Sequence, residues 1–193
     1  MTDKSFEFPS VGQIDAEIRR TQAKRRRARW RRAILILLLL AIVAGVLISM
    51  KYVSFLKISG NSMEPMLRSG DIAIYQMNGT VVRGSIVAIE RDGELLVKRV
   101  IGIAGDKIRV AANGVVYVNG AALEETYLEE KSLGNSDAVY PVTVPEDSYF
   151  VMGDRRSTSL DSRNSAIGMI DADEIRGEIL GVLWPAYRIG KVQ

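Results

Sequence analysis

"SIVAIERDGELLVKRVIGI", Ser85 to Ile103, reads as two β-strands around one turn. Aliphatic and β-branched residues dominate both flanks, and Asp92-Gly93 stands between them. A two-residue type I′ turn needs positive φ at both central positions, which Asp-Gly supplies, so this is a strong local hairpin signal. In the second strand Leu96, Lys98 and Val100 alternate and share one face, with Arg99 on the other. A lysine on an apolar strand face has two readings. It either snorkels its ammonium to water, or it stays buried, where desolvation makes a neutral amine available near neutral pH. Arg99 cannot act as a base in either case.

The same pattern continues outward. "DIAIYQM", Asp71 to Met77, leads to Asn78-Gly79, while "KIRVAA" and "VVYVNG" flank Asn113-Gly114. Both are read as hairpin turns. Further strands are expected at "SYFVMGD", Ser148 to Asp154, and "EIRGEILGVLW", Glu174 to Trp184. Residues 121–140 read as an irregular insertion. The prediction for residues 53–193 is a mainly β, antiparallel domain.

Upstream the character changes. Residues 19–32 carry nine basic side chains and no acid, and "AILILLLLAIVAGVLISM", Ala33 to Met50, is 18 residues without a charge. At helical rise that run spans about 27 Å, close to the hydrocarbon thickness of a bilayer. A single apolar span in lipid must be helical, because lipid offers the backbone no partners. Its apolar residues cover every face, which argues against a core helix. The alternative is a removable signal peptide, but the run is long for one and "SMKYVSF" lacks a small-x-small cleavage site. The organisation expected is therefore a basic cytoplasmic tail, 1–32, weakly ordered over 1–18; a transmembrane anchor, 33–50, flanked by Trp30 and Tyr52; and the β domain, 53–193. Basic flanks stay inside, so the β domain faces the outer side of the membrane, and the same flank attracts anionic lipid.

Composition narrows the chemistry. The net charge of +3 divides into +6 over residues 1–32 (10 Lys/Arg, 4 Asp/Glu) and −3 over the rest (16 Lys/Arg, 19 Asp/Glu). A β domain of that sign does not favour nucleic acid as a partner. The chain has no cysteine and no histidine. That removes disulfides, thiolate catalysis, zinc–thiolate sites and the Ser-His-Asp triad. No acidic run has calcium-loop spacing, and no cofactor or metal is expected.

"ISGNSMEPML", Ile58 to Leu67, places Ser62 in a turn-prone run with Gly60, Asn61 and Pro65. Most such serines are turn residues. As a nucleophile Ser62 needs a base, and without histidine the choice is among Lys, Asp and Glu; Lys98 is the candidate. A third stretch, "GDRRSTSLDSRNSAIG", Gly153 to Gly168, packs hydroxyls, acids and arginines after a predicted strand. It reads either as a salt-bridged loop or as a set of partners that orient a lysine amine.

Taken together, "SGNSMEPML" with "GDIAIY", then "VKRVIGIAGD", then "GDRRSTSLDSR", resemble the bacterial type I signal peptidase family over roughly Val53 to Ile189. The resemblance implies an antiparallel β protease core on one membrane anchor, and cleavage of signal peptides from exported preproteins after small residues. It implies Ser62 as nucleophile and Lys98 as general base. Ser159 is implied as the hydroxyl that orients the amine, and Asp161 with Arg163 as a supporting salt bridge. Met63 and Pro65, with Gly60 and Asn61, shape the nucleophile turn. The chain departs from the family pattern at Gly60, where some members carry a serine that helps bind the oxyanion; at Arg155, where Asn is usual; at Met66, where Thr is usual; and at "IAGD", Ile103 to Asp106, where Leu-Pro-Gly-Asp is common. Two rival functions are a non-proteolytic relative serving as chaperone or scaffold in pilus assembly, and a self-cleaving repressor-type protease. Retention of Ser62, Lys98 and Ser159 argues against the first, and the anchor against the second.

Overall fold

A computed structural model describes residues 11–49 and 52–192 of the chain. It divides into two units, one ending at Ser49 and the other comprising the β domain.

The first unit is a single helix, α1, Val11–Ser49. Of the tail read over 1–18, residues 1–10 lie outside the described residues, as do Met50 and Gln193 at the limits of the anchor and the domain. Residues 11–18 form the first turns of α1, a departure from the weak order expected there. The Ala, Arg, Lys and Gln residues that follow are good helix formers and carry the helix without a break into the apolar run. Lys24–Leu47 is long and apolar enough to cross a membrane, and no part of it is buried in the protein. Leu35, Leu37, Ile42 and Leu47 each expose more than half their surface.

The second unit contains twelve strands: β1 (Val53–Lys57), β2 (Ile72–Gln76), β3 (Ile86–Arg91), β4 (Glu94–Gly102), β5 (Lys107–Val110), β6 (Val116–Val118), β7 (Ala121–Ala122), β8 (Val142–Thr143), β9 (Ser148–Met152), β10 (Ile170–Asp171), β11 (Ile175–Trp184) and β12 (Gly190–Lys191). They form a large sheet, ordered β1-β2-β11-β3-β4-β9-β10 with β12 on β11, and a small sheet, ordered β7-β6-β5-β8. Every pairing is antiparallel.

The β3–β4 hairpin forms as predicted, with Arg91 opposite Glu94 and positive φ at Asp92 (54°) and Gly93 (79°). β5 and β6 also pair, but there Gly114 alone takes positive φ (81°) while Asn113 does not. The Gly114 N–H donates to the Ala111 carbonyl and the Ala111 N–H to the Val115 carbonyl, so that hairpin closes by a longer turn than the type I′ form. Asn78-Gly79 is no hairpin turn. β2 lies between β1 and β11 and never meets β3. The reason is competition: β1 takes one edge of β2 through the 58–71 loop, and β11, from far along the chain, takes the other.

Three apolar clusters fill the domain. Leu67, Ile58, Met63, Ile86 and Val182 form one beside β1 and β2. Val87, Ile89, Val100 and Val151 form a second, which Leu96 joins. Ile108, Val116, Phe150 and Met152 form a third, under the small sheet. Leu96 and Val100 share a cluster while Val97 packs in another, which is the alternation read along β4.

Candidate active site

Ser62 rides on a loop whose ends are tied together. The Ile58 N–H donates to the Asp71 carbonyl at 2.8 Å, and the Gly70 N–H to the Ile58 carbonyl at 2.9 Å. Asp71 Oδ2 accepts from the Arg68 N–H, and Arg188 spans Asp71 and the Met66 carbonyl. Met63 and Leu67 point into the apolar core, so the residue after Ser62 acts as an anchor. Ser62 itself is only partly buried. Gly60 takes φ +83°, and a Cβ there would meet nothing within 4 Å. The Gly60 requirement is one of backbone conformation, since an L side chain is disfavoured at that φ.

Lys98 approaches from β4. Its side chain leaves only 5 % of the residue exposed, and its Nζ lies 2.9 Å from Ser62 Oγ. Burial lowers the pKa of the amine below the usual lysine range; Arg163 pushes the same way, while Asp161 and Asp154 push back. Of the two readings of this lysine, the structure takes the buried one.

The 153–163 loop closes behind this pair. Asp161 and Arg163 form a fully buried two-point ion pair, Nε to Oδ1 and Nη2 to Oδ2, both at 2.8 Å. Burial alone would raise the Asp161 carboxyl, but the Arg163 hydrogen bonds and charge, with the Gly153 N–H at 2.9 Å, hold it below its ordinary value. The Arg155 N–H donates to the Ser62 carbonyl at 2.9 Å and ties this loop directly to the Ser62 turn. Gly153 is wedged between the two. A Cβ on it would stand 2.2 Å from Ser159 Oγ and 2.6 Å from the Ser62 carbonyl oxygen, so no other residue fits. Ser159 is 1 % exposed. Its Oγ makes no regular hydrogen bond among the described residues, to Lys98 or otherwise, although it lies near enough to Asp161 to help keep that carboxyl acidic. The structure therefore brings Ser62 and Lys98 into contact and sets Ser159, Asp161 and Arg163 behind them. It does not join Ser159 Oγ to the amine. Pro65 follows the anchor Met63 through a cis peptide bond with Glu64.

Several neighbours escaped the sequence reading. Arg99, on the face of β4 opposite Lys98, is just as buried. It forms a two-point pair with Asp154 at 2.8 and 2.7 Å, reaches the Gly84 carbonyl, and lies 3.9 Å above the Tyr127 ring. Arg155, the departure from the family pattern, pairs with Glu64 at the surface. Only the Gly153-Asp154 dipeptide hinted at these contacts, because partners 55 residues apart leave no periodic mark.

A narrow cleft of about 80 Å³ opens on Ser62 and Lys98. Residues 56–60 and 95–98 line it from the two strands, together with Ser62 and Met63. Both walls are open strand edges: β1 ends the large sheet, and β9 covers β4 only from Arg99 onward.

The chain is similar to known proteins. Residues 27–184 match the family model described as signal peptidase, peptidase S26. A signal peptidase I of Bacillus amyloliquefaciens is 33 % identical over 191 residues, which is 93 % of this chain and all of the relative. The signal peptidase I S of Bacillus subtilis (strain 168) is 34 % identical over 174 residues, 84 % of this chain and 91 % of that one. A crystal structure of a signal peptidase I from Enterococcus faecalis V583 is 29 % identical, with a TM-score of 0.42, covering 52 % of this chain and 97 % of that one. The chain belongs to the signal peptidase family, peptidase S26, and is a serine peptidase of the signal peptidase I type.

Proposed function

We propose that this signal-peptide-cleaving peptidase works from a membrane anchor through Ser62 and Lys98. The observation that carries the reading is the 2.9 Å contact between a buried lysine amine and the hydroxyl of a serine on a pinned turn. With its pKa lowered, the neutral amine accepts the Ser62 proton as Oγ attacks the scissile carbonyl. The resulting ammonium donates that proton to the leaving amine, and an ester on Ser62 remains. Lys98 then deprotonates a water, which hydrolyses the ester and restores Ser62. The Ser62 N–H is a candidate oxyanion donor. Gly60 offers no side chain for a second.

The two open strand edges favour an extended substrate, laid between β1 and β4 as an added strand. The narrowness of the cleft favours small side chains beside the scissile bond. In the proposed topology the basic block stays cytoplasmic, residues from about 54 onward lie outside, and the helix tethers the enzyme to the membrane from which its substrates emerge, raising their effective concentration. Asp161 and Arg163 hold the loop that excludes water from Lys98, and Ser159 packs on that loop against Gly153.

The test is preprotein cleavage in detergent by the wild type, Ser62→Ala and Lys98→Ala. Processing by the wild type alone is expected, and processing that survives either substitution overturns the assignment. Because the chain has no native cysteine, single introduced cysteines on either side of α1 report the topology by labelling with a membrane-impermeant reagent.

A further inference from the structure

Residues 123–138 carry no regular strand or helix, yet they hold more of the 153–165 loop than any decoration needs to. Glu125 Oε1 accepts from Arg156 Nη2 at 2.6 Å, and both side chains are wholly buried. The Tyr127 hydroxyl donates to the same oxygen at 2.9 Å, while the Tyr127 ring supports Arg99. Arg156 Nε in turn donates to the Gly153 carbonyl at 3.0 Å. Further along, Arg163 Nη1 donates to the Leu133 carbonyl at 2.8 Å, and the Arg163 carbonyl accepts from the Asp137 and Ala138 N–H groups. Asp137 accepts from both the N–H and the hydroxyl of Ser165. At Gly134 the chain lies flat on the loop. Its φ is +62°, and a Cβ would stand 2.3 Å from the Arg156 carbonyl oxygen and 2.7 Å from Arg163 Nη1.

The segment is thus attached to the loop at both ends and in the middle. The attachment is not the most stable one available. Glu125 Oε2 and Arg156 Nη1 are buried with no partner, and a buried ion pair with unpaired atoms is a poor device for stability alone.

We propose that residues 123–138 form a strap whose Glu125 is a positioning residue for peptide cleavage: through Arg156 it fixes the Gly153 carbonyl, and so presses the 153–163 loop against Ser62. This rests on the reading of Ser62 and Lys98 given above. The groups that bear on the Lys98 amine are Ser62 from its turn, and Asp154, Asp161 and Arg163 from the loop. When the strap loosens, the loop withdraws, water reaches the amine, and its pKa climbs back toward that of free lysine. Less neutral amine is then present at a given pH, and the geometry for attack is poorer.

The experiment compares full-length wild type, Glu125→Gln, Gly134→Ala and Ser62→Ala in detergent. Steady-state cleavage of a preprotein is followed from pH 6 to 11, and backbone amide exchange is followed over 153–163. Both strap variants are expected to lose roughly ten- to hundredfold in kcat with little change in KM. Their acid limb should shift to higher pH, and their 153–163 amides should exchange faster. Folded variants with wild-type kcat, acid limb and exchange overturn the proposal. So does a fall in kcat with an unmoved acid limb, which assigns the strap to architecture alone. If neither Glu125→Gln nor Gly134→Ala folds, Tyr127→Phe, which removes only the hydroxyl that donates to Glu125, decides by the same criteria. If instead the wild type does not cleave, or Ser62→Ala does, the reading of the dyad fails separately, and unchanged exchange in the strap variants overturns the strap on its own.

Discussion

The loop that carries Ser62 is seated next to its serine by Met63 and Leu67 in an apolar cluster, with Arg188–Asp71 closing only its far end, whereas the loop that carries Ser159 is pinned by Asp161–Arg163 and Glu125–Arg156, ion pairs with no solvent exposure. The two loops do different work. Apolar anchors are non-directional and leave the turn's backbone free to present a hydroxyl. Ion pairs are directional. They hold in place the loop that closes behind Lys98, and burial is what lowers the pKa of that amine, while Asp161 and Arg163 act on it in opposite senses. Lys98 and Arg99 repeat the contrast within one strand. Arg99 is matched by a two-point carboxylate, while Lys98 is buried with a serine hydroxyl as its partner.

The difference sets an order of expected effects. Ser62→Ala and Lys98→Ala should each abolish cleavage, by about 10⁴-fold or more, with little loss of stability; a preprotein cleavage assay beside a thermal melt separates the two. Asp161→Ala leaves Arg163 buried and unpaired. It should cost about 3–5 kcal/mol in unfolding free energy, measured by denaturant titration, and activity should fall with it. Leu67→Ala should cost about 2–5 kcal/mol by leaving a cavity, while the folded fraction keeps its acid limb of activity, because no charge near Lys98 moves. Arg155→Ala breaks a half-exposed pair and should change stability by no more than about 1 kcal/mol. If Leu67→Ala moves the acid limb as far as Asp161→Ala does, the division of labour between the loops is wrong.

The pH dependence follows from the same contrast, with opposite signs for the two groups. In the proposed mechanism Lys98 must be neutral to act, so cleavage should rise with pH through an apparent pKa below the roughly 10.4 of free lysine. In the window between the folded and unfolded lysine pKa the unfolded chain binds more protons, so Lys98 makes stability rise with pH there. Asp161 is held below its unfolded value, so its contribution is fully present above about pH 4 and is lost as pH falls through the folded pKa. Lys98→Met should remove the alkaline slope and leave the acid one intact, as read by denaturant midpoints across pH.

This contrast also explains what was legible in the sequence. Apolar anchoring has a period, so the β3–β4 hairpin, the alternation around Lys98 and the strands near 148 and 175 were all readable from residue order. The membrane-length helix was readable for the same reason. Ion pairs have none. Glu125 finds Arg156 31 residues away, and Arg99 finds Asp154 55 away, with no local pattern to announce either. The absence of histidine made Lys98 a candidate base for Ser62, and the resemblance of the three motifs to the signal peptidase family is what implied the two as a pair. Asn78-Gly79 misled because a turn signal says nothing about which distant strand will claim the edge beside it.

The position of β11 has a consequence in time. Ser62 lies in the connection between β1 and β2, and Lys98 on the β3–β4 hairpin, and these two strand pairs share no ladder. β11 supplies the hydrogen bonds to both, joining β2 on one side to β3 on the other. It follows both strand pairs in the sequence. The two halves of the site therefore exist first as separate hairpins, and such non-local closure is slow compared with the hairpins themselves. A nascent chain released before Ile175 carries its serine and its lysine but no sheet to hold them in register. In the proposed mechanism, peptidase activity thus depends on a strand that lies far along the chain from both Ser62 and Lys98.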